Sequence, residues 1–266
     1  MPAVDDWVIE TEDLTAGYGA GLILDGVTVR VPRGRLTCVI GGSGSGKSTF
    51  LKCVVGLLPP LRGRVRVLGQ DPYALDDEER SALLSRVGLL FQDGALLNSL
   101  SLRENLEIPF KAHTNLPGGV VDEAIRTKLG LVALGGALGK LPGELSGGMR
   151  KRAGLARALA LDPELLLCDE PSAGLDPLTA ANLDRLIRHL QEVLRMTVLV
   201  VTHELPSIKL IADHIIMLRD KRVYYDGPAQ EAYESRDPVL TGFFGRVATA
   251  DEARGRSLLD VLAVRS

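Results

Sequence analysis

The octapeptide Gly41-Gly-Ser-Gly-Ser-Gly46-Lys47-Ser48 fits the pattern G-x-x-x-x-G-K-[ST], with an apolar run ahead of it and a helix-compatible run behind. Glycines at 41, 42, 44 and 46 let the backbone, with Ser43 and Ser45 between them, wrap closely around a polyphosphate. The exposed N–H groups and a helix N-terminus supply the positive dipole ends. Lys47 would reach the β- and γ-phosphates, Ser48 would offer its hydroxyl to Mg²⁺, and Thr49 would add an α-phosphate contact. The plainer alternative, a flexible Gly/Ser loop, does not explain strand, lysine and hydroxyl arriving in register. Alone, the loop says nucleoside triphosphate and nothing more.

Other chemistry falls at strand ends. Leu165-Leu-Leu-Cys-Asp169 is a nearly continuous apolar run closed by two carboxylates, Asp169 and Glu170. In open α/β sheets ligands sit beyond the carboxyl ends of strands, so both carboxylates should face the nucleotide. Asp169 would hold Mg²⁺, directly or through water, leaving Glu170 to orient and polarise the attacking water as a general base. Gln92 follows the run 87–91 and is an uncharged oxygen donor to the metal. His203 follows the run 198–202 and should emerge at the same edge, placed to contact the γ-phosphate and to position the water or Glu170. His113, His189 and His214 have no such setting and read as structural or surface residues.

A second anion-binding feature lies at Leu145-Ser-Gly-Gly-Met149, which opens a helical run over 149–160. Ser146 can cap that helix, and Gly147 and Gly148 permit close approach at its dipole-positive end. A mononucleotide on the first loop cannot easily need both features of one molecule. A head-to-tail, two-fold pair of chains would let Ser146 of one complete the γ-phosphate site of the other.

The elements that position these groups follow from hydrophobic periodicity. Strands are expected at 8–10 and 27–31, separated by a glycine-rich turn over 16–21, and at 36–40, 65–68, 87–91, 165–169 and 197–202, with a final pair at 214–219 and 222–226. Helices are expected at 47–56, 77–85 and 177–195, the last with Leu183, Leu186, Ile187, Leu190 and Leu194 at helical spacing. Residues 101–134 read as interrupted helix, broken by Pro109 and Leu116-Pro-Gly-Gly119, and form a helical insertion in the sheet core. Strands alternating with helices imply a parallel sheet covered on both faces. Beyond residue 227 the chain is polar and irregular, with weak helical signals.

In combination, Gly41 to Ser48, Gln92, Leu145 to Met149, Leu165 to Glu170, Ser172-Ala-Gly-Leu-Asp176 and His203 resemble the ABC ATPases in order and spacing, over about residues 8–227. The resemblance implies an α/β P-loop NTPase fold: a mostly parallel sheet core, an N-terminal antiparallel β-subdomain and an inserted helical subdomain at about 95–160. Residues 228–266 would be a C-terminal extension. It also implies that Tyr18 stacks on the adenine of ATP, that 172–176 touches a second copy of the chain, and that 91–102 meets the coupling helix of a transmembrane permease. Phe91-Gln-Asp-Gly-Ala-Leu-Leu97, Glu104-Asn105-Leu106, Pro109, Ala112 to Pro117 and Leu145-Ser-Gly-Gly-Met-Arg-Lys-Arg152 further resemble the ATPases of MCE-associated, Mla-type phospholipid transporters. That branch implies an MCE-domain protein and a STAS-domain subunit as further partners, at the cytoplasmic face of a bacterial inner membrane. An ABC importer or exporter for another cargo is the alternative. A soluble ABC ATPase acting on DNA or ribosomes would carry two cassettes or a coiled-coil insertion, and this chain has one phosphate loop and no heptad run.

Composition agrees. With 31 Lys and Arg against 34 Asp and Glu, the net charge of -3 offers no basic excess for nucleic acid. Cys38, Cys53 and Cys168 each sit in apolar runs without metal-ligand spacing, as expected of reduced, packed thiols in a reducing cytoplasm. Residues 1–9 hold no apolar stretch of signal-peptide length, and no run of about 18 uncharged apolar residues occurs, so membrane attachment is expected through a partner. Cargo and transport direction are not encoded in such a subunit.

Overall fold

A computed structural model describes residues 6–19 and 21–245. Three short strands buried along their lengths form the centre: β3 (Leu36–Ile40), β6 (Leu165–Asp169) and β7 (Thr197–Val201). Their continuous Leu, Val, Ile and Cys runs suit a sheet covered on both faces. With β5 (Val87–Leu90), β8 (His214–Arg219) and β9 (Arg222–Pro228) they make a six-stranded sheet in the order β5-β6-β7-β3-β8-β9. The pairs β5·β6, β6·β7, β3·β7 and β3·β8 are parallel. Asp220 and Lys221, at φ 49° and 70°, make the two-residue turn into β9.

A second sheet, antiparallel in the order β2-β1-β4, is built from β1 (Trp7–Tyr18), β2 (Gly21–Pro32) and β4 (Arg62–Val67). The expected strands at 8–10 and 27–31 are therefore only the start of β1 and the end of β2, two much longer strands. Residues 16–18, expected in a turn, are paired with 21–24 as β-ladder. Gly17 is required there, since a Cβ would lie 2.1 Å from the carbonyl oxygen of Gly21. The register shifts along β1 explain why strict alternation is lost in the sequence.

The helices lie close to expectation: α1 (Lys47–Val54), α2 (Asp77–Ser85), α3 (Leu102–His113), α4 (Gly118–Leu131), α5 (Gly147–Ala158) and α6 (Pro177–Leu194). Asp76 and Ser101 start α2 and α3 with reciprocal capping boxes to Glu79 and Glu104. Pro109 does not break α3 but lies inside it. The Leu116-Pro-Gly-Gly119 break is confined to residues 114–117, with Gly118 and Gly119 already in the first turn of α4, where backbone N–H groups lack helical acceptors in any case. A short helix, α7 (Leu205–Ile211), follows His203 and was not anticipated. Between the adjacent strands β5 and β6 the chain runs through α3, α4 and α5.

The thiols are free and buried, as their apolar surroundings predict. Burial pushes Cys53 up to about 11 and keeps it protonated. No helix among the described residues is long and apolar enough to cross a membrane. By compactness the chain divides after Asp226. The second unit holds α8 (Ala229–Glu234) and α9 (Pro238–Gly245), in which Tyr233 and Phe244 stack edge to face with ring centroids 5.0 Å apart. The tail from residue 246 lies outside the described residues.

Candidate active site

Parallel register brings the carboxyl ends of the central strands together. Asp169 pairs with Val201, Val39 with Val201 and Ile40 with Met217, so Gly41, Asp169, Glu170 and His203 share one sheet edge. Gln92 leaves the same edge two residues beyond β5.

The loop 41–48 bends through positive φ at Gly41 (149°), Gly44 (76°) and Gly46 (100°). At Gly41 a Cβ would stand 2.3 Å from the carbonyl oxygen of Leu218, and at Gly46 it would stand 2.5 Å from Leu24 Cδ2. The glycines thus serve close packing as well as left-handed backbone. Lys47 Nζ donates to the carbonyls of Gly41 and Gly42, both at 2.9 Å, across the mouth of the loop. Burial lowers the Lys47 pKa, while Glu170 and Asp169 work to raise it. Ser48 is exposed and Thr49 buried, on successive faces of the first turn of α1. Ser45 Oγ is buried without a partner.

Asp169 Oδ1 is also buried and unpartnered. Burial, and then the charge of Glu170, pushes the Asp169 carboxyl above its ordinary range, against Lys52 and Lys47. Such an oxygen suits a hard cation, and one carboxylate with hydroxyl and amide oxygens from Ser48 and Gln92 is the kind of set Mg²⁺ takes. No group of three or more His, Cys, Asp or Glu side chains placed to hold a metal occurs among the described residues.

Glu170 has a left-handed backbone, φ 47°, fixed by its N–H donating to the carbonyl of Val201 at 2.8 Å. Its Oε1 meets His203 Nδ1 at 2.7 Å, whereas Oε2 is buried without a partner. His203 is largely exposed. The pair therefore presents a carboxylate oxygen with free lone pairs, braced by an imidazole.

Tyr18 closes β1 with its ring half exposed. Lys52 Nζ donates to its hydroxyl at 3.2 Å and lies 5.4 Å from the ring centroid. Ser146 caps α5, accepting from the Met149 N–H at 3.3 Å. Gly148 is packed so that a Cβ would lie 2.6 Å from Thr179 Cγ2, and Gly147 faces Leu175. Among the described residues no hydrogen bond joins Ser146, Gly147 or Gly148 to the loop 41–49, so the two segments remain separate within one chain.

Several supporting residues were not visible as such in the sequence. Lys151, one turn into α5, is buried and donates from Nζ to the Glu170 carbonyl at 3.3 Å. Asp93 and Glu170 counter the lowering of its pKa by burial. Gly154 comes so close to Gly94 that a Cβ would stand 2.8 Å from Gly94 Cα, and Arg157 donates to the carbonyl of Ala95 at 2.8 Å. The loop after Gln92 is thereby fastened to α5. Farther along, Asn105 is fully buried and bonds Leu97, Leu100 and Ser101 through both amide atoms. Any of these charged or amide residues would have read as surface.

Residues 24–173 match the family model described as ABC transporter. The chain belongs to the ABC transporter family. A protein from Mycobacterium bovis named "Probable ribonucleotide transport ATP-binding protein mkl" is 42% identical over 88% of this chain and 66% of that one, so this chain spans just under two thirds of its length. The Haemophilus influenzae intermembrane phospholipid transport system ATP-binding protein MlaF is 39% identical over 89% of both chains. Among solved structures, a dimeric ATP-binding cassette in a post-hydrolysis state, bound to ADP and Pi, superposes with a TM-score of 0.76 at 29% identity, covering 83% of this chain and 98% of that one. The two-sheet ABC fold expected from the sequence is thus the fold observed.

Proposed function

We propose that this chain is the ATP-hydrolysing subunit of a bacterial ABC transporter that powers phospholipid movement between membranes, working as a head-to-tail dimer. Its nucleotide-binding domain would span residues 8–227, with a helical subdomain at about 95–160. The observation that carries the hydrolytic reading is Glu170: one carboxylate oxygen is held by His203 at 2.7 Å and the other is unpartnered, beside Asp169 and the phosphate loop. Tyr18 stacks on adenine, residues 41–49 cradle the phosphates, and Lys47 exchanges its two loop carbonyls for β- and γ-phosphate oxygens. Ser48, Gln92 and Asp169 would hold Mg²⁺, which would neutralise developing phosphate charge. Glu170 takes the proton of the attacking water, and His203 keeps the carboxylate aimed while reaching the γ-phosphate. Ser146, Gly147 and Gly148 of the second chain close the site through the N-terminus of α5.

The phospholipid cargo is supported by the MlaF relatives, which align over most of both chains. Ribonucleotide transport, the activity in the mkl name, is the second reading, favoured by the higher identity of 42%. Partners on the first reading are a permease, an MCE-domain protein and a STAS-domain subunit, at the cytoplasmic face of the inner membrane. The test is purification of the chain with its membrane subunits and reconstitution into vesicles. ATP-dependent transfer of a labelled phospholipid is expected. A complex that hydrolyses ATP and moves no lipid overturns the cargo, and labelled ribonucleotide uptake by the same vesicles installs the second reading.

A further inference from the structure

Two residues after Glu170 and four after His203, the chain turns inward at Ser172 and Ser207. Their side chains are almost completely buried, with Oγ atoms 3.2 Å apart. Asp184 of α6 joins them. It is 1% exposed, and its Oδ1 is buried without a partner. No ion pair to Asp184 is formed among the described residues. Burial, aided by Glu204, pushes its carboxyl up and the two serines counter this, while its charge adds to burial in raising the Cys38 and Cys168 thiols of β3 and β6. Asp184 interrupts the apolar stripe of α6, between Ala180 and Ile187. An aliphatic residue there would pack without the cost of burying a carboxyl. A polar group kept at that cost calls for a role beyond stability.

The connectivity supplies one. Glu170 and His203 meet at the sheet edge, and only Pro171 on one side and residues 204–206 on the other separate them from Ser172 and Ser207. Pair and cluster therefore close a ring of two short chain segments, pinned at both ends. Glu170 itself sits in a left-handed conformation that its surroundings must enforce. We propose that the buried Ser172–Asp184–Ser207 cluster is a positioning device for the Glu170–His203 pair, tying the geometry of that pair to the seating of the segment 172–176. The inference rests on the ATPase reading above.

The experiment uses the full chain, with steady-state ATP hydrolysis, nucleotide affinity and thermal melts for S172A, S207A, S172A/S207A, D184N and D184L. Because a displacement near 1 Å at a reacting group costs on the order of 100-fold, D184L is expected to lower kcat by about 10- to 100-fold while KM for ATP stays within about two-fold. D184N, which keeps the size and polarity of the side chain, should keep kcat within about three-fold of the parent. The double serine variant should lose no more than the worse single one, because either deletion opens the same ring. If D184L does not fold, the serine variants, each lacking one oxygen, carry the test. Unchanged kcat in folded D184L and in both serine variants, additive serine losses, or D184N as impaired as D184L would each overturn the proposal. Absence of hydrolysis by the parent chain would instead overturn the ATPase reading.

Discussion

Replacing Glu170 by glutamine isolates proton abstraction from geometry. The amide can keep the 2.7 Å contact to His203 Nδ1 and the left-handed backbone held by Val201, so the site is expected to stay assembled. What disappears is a carboxylate able to take a proton, worth about 10²- to 10⁴-fold in rate. At 1.36 kcal/mol per decade that is roughly 3–5 kcal/mol of barrier. Binding should survive and at acid pH improve relative to the parent. Glu170 is the second cause, after burial, of the raised Asp169 pKa, so neutralising it lets Asp169 ionise at lower pH and remain available to a cation. The assay is phosphate release in single-turnover and steady-state modes, with nucleotide affinity measured at neutral and acid pH. Turnover within about three-fold of the parent would refute the general-base assignment, since no such base contributes so little.

In the Glu170→Gln background, ATP should shift the chain toward dimer on size exclusion, and adding Ser146→Arg should abolish the shift. A double variant that still dimerises with ATP would overturn the cross-chain site. Gly154→Val forces a side chain into the 2.8 Å approach to Gly94 and should cost about 1–3 kcal/mol in denaturant unfolding, with ATPase activity falling as the Gln92 loop is displaced. Unaltered stability would show that the loop yields freely. Asp184→Asn should flatten the pH dependence of the melting temperature. The folded carboxyl titrates above its ordinary value of 3.8, so its stabilising contribution is fully present below that value and is lost as pH rises through the folded one. The melting temperature of the variant relative to the parent should therefore rise with pH across that interval, and parallel curves would contradict the raised carboxyl.

Much of the candidate site was legible because its pieces are local. The phosphate loop, the Asp169-Glu170 step and the Ser146 cap depend on a few adjacent residues and on strands such as 36–40 and 165–169, whose apolar runs leave little ambiguity. The antiparallel sheet was less legible, because Asp13, Gly17 and the register shifts of β1 break the alternation a strand signal needs. Pro109 and Gly118 misled for the opposite reason: local breaker rules yielded to packing of α3 and to the spare first turn of α4. Lys151 lies in the run Arg150-Lys151-Arg152, where nothing in the spelling says which cation turns inward. Asp184 did leave a sign, falling with Ala180, Ile187 and Gln191 at helical spacing on the buried face.

The close approach of Gly94 and Gly154 has a mechanical consequence. A loop clamped to a helix by backbone contact and by Arg157 does not absorb a push; it hands the push on as rotation. Seven residue steps lead from Gly147 to Gly154, about 10 Å of rigid lever at 1.5 Å per residue, so a tilt of about 6° swings the tip through roughly 1 Å. A displacement of that size at a group that positions a reacting phosphate would separate a working site from an idle one. If the second chain closes the site as proposed, torque applied near Gln92 in one chain would throttle hydrolysis in the other without any helix unwinding or any strand moving.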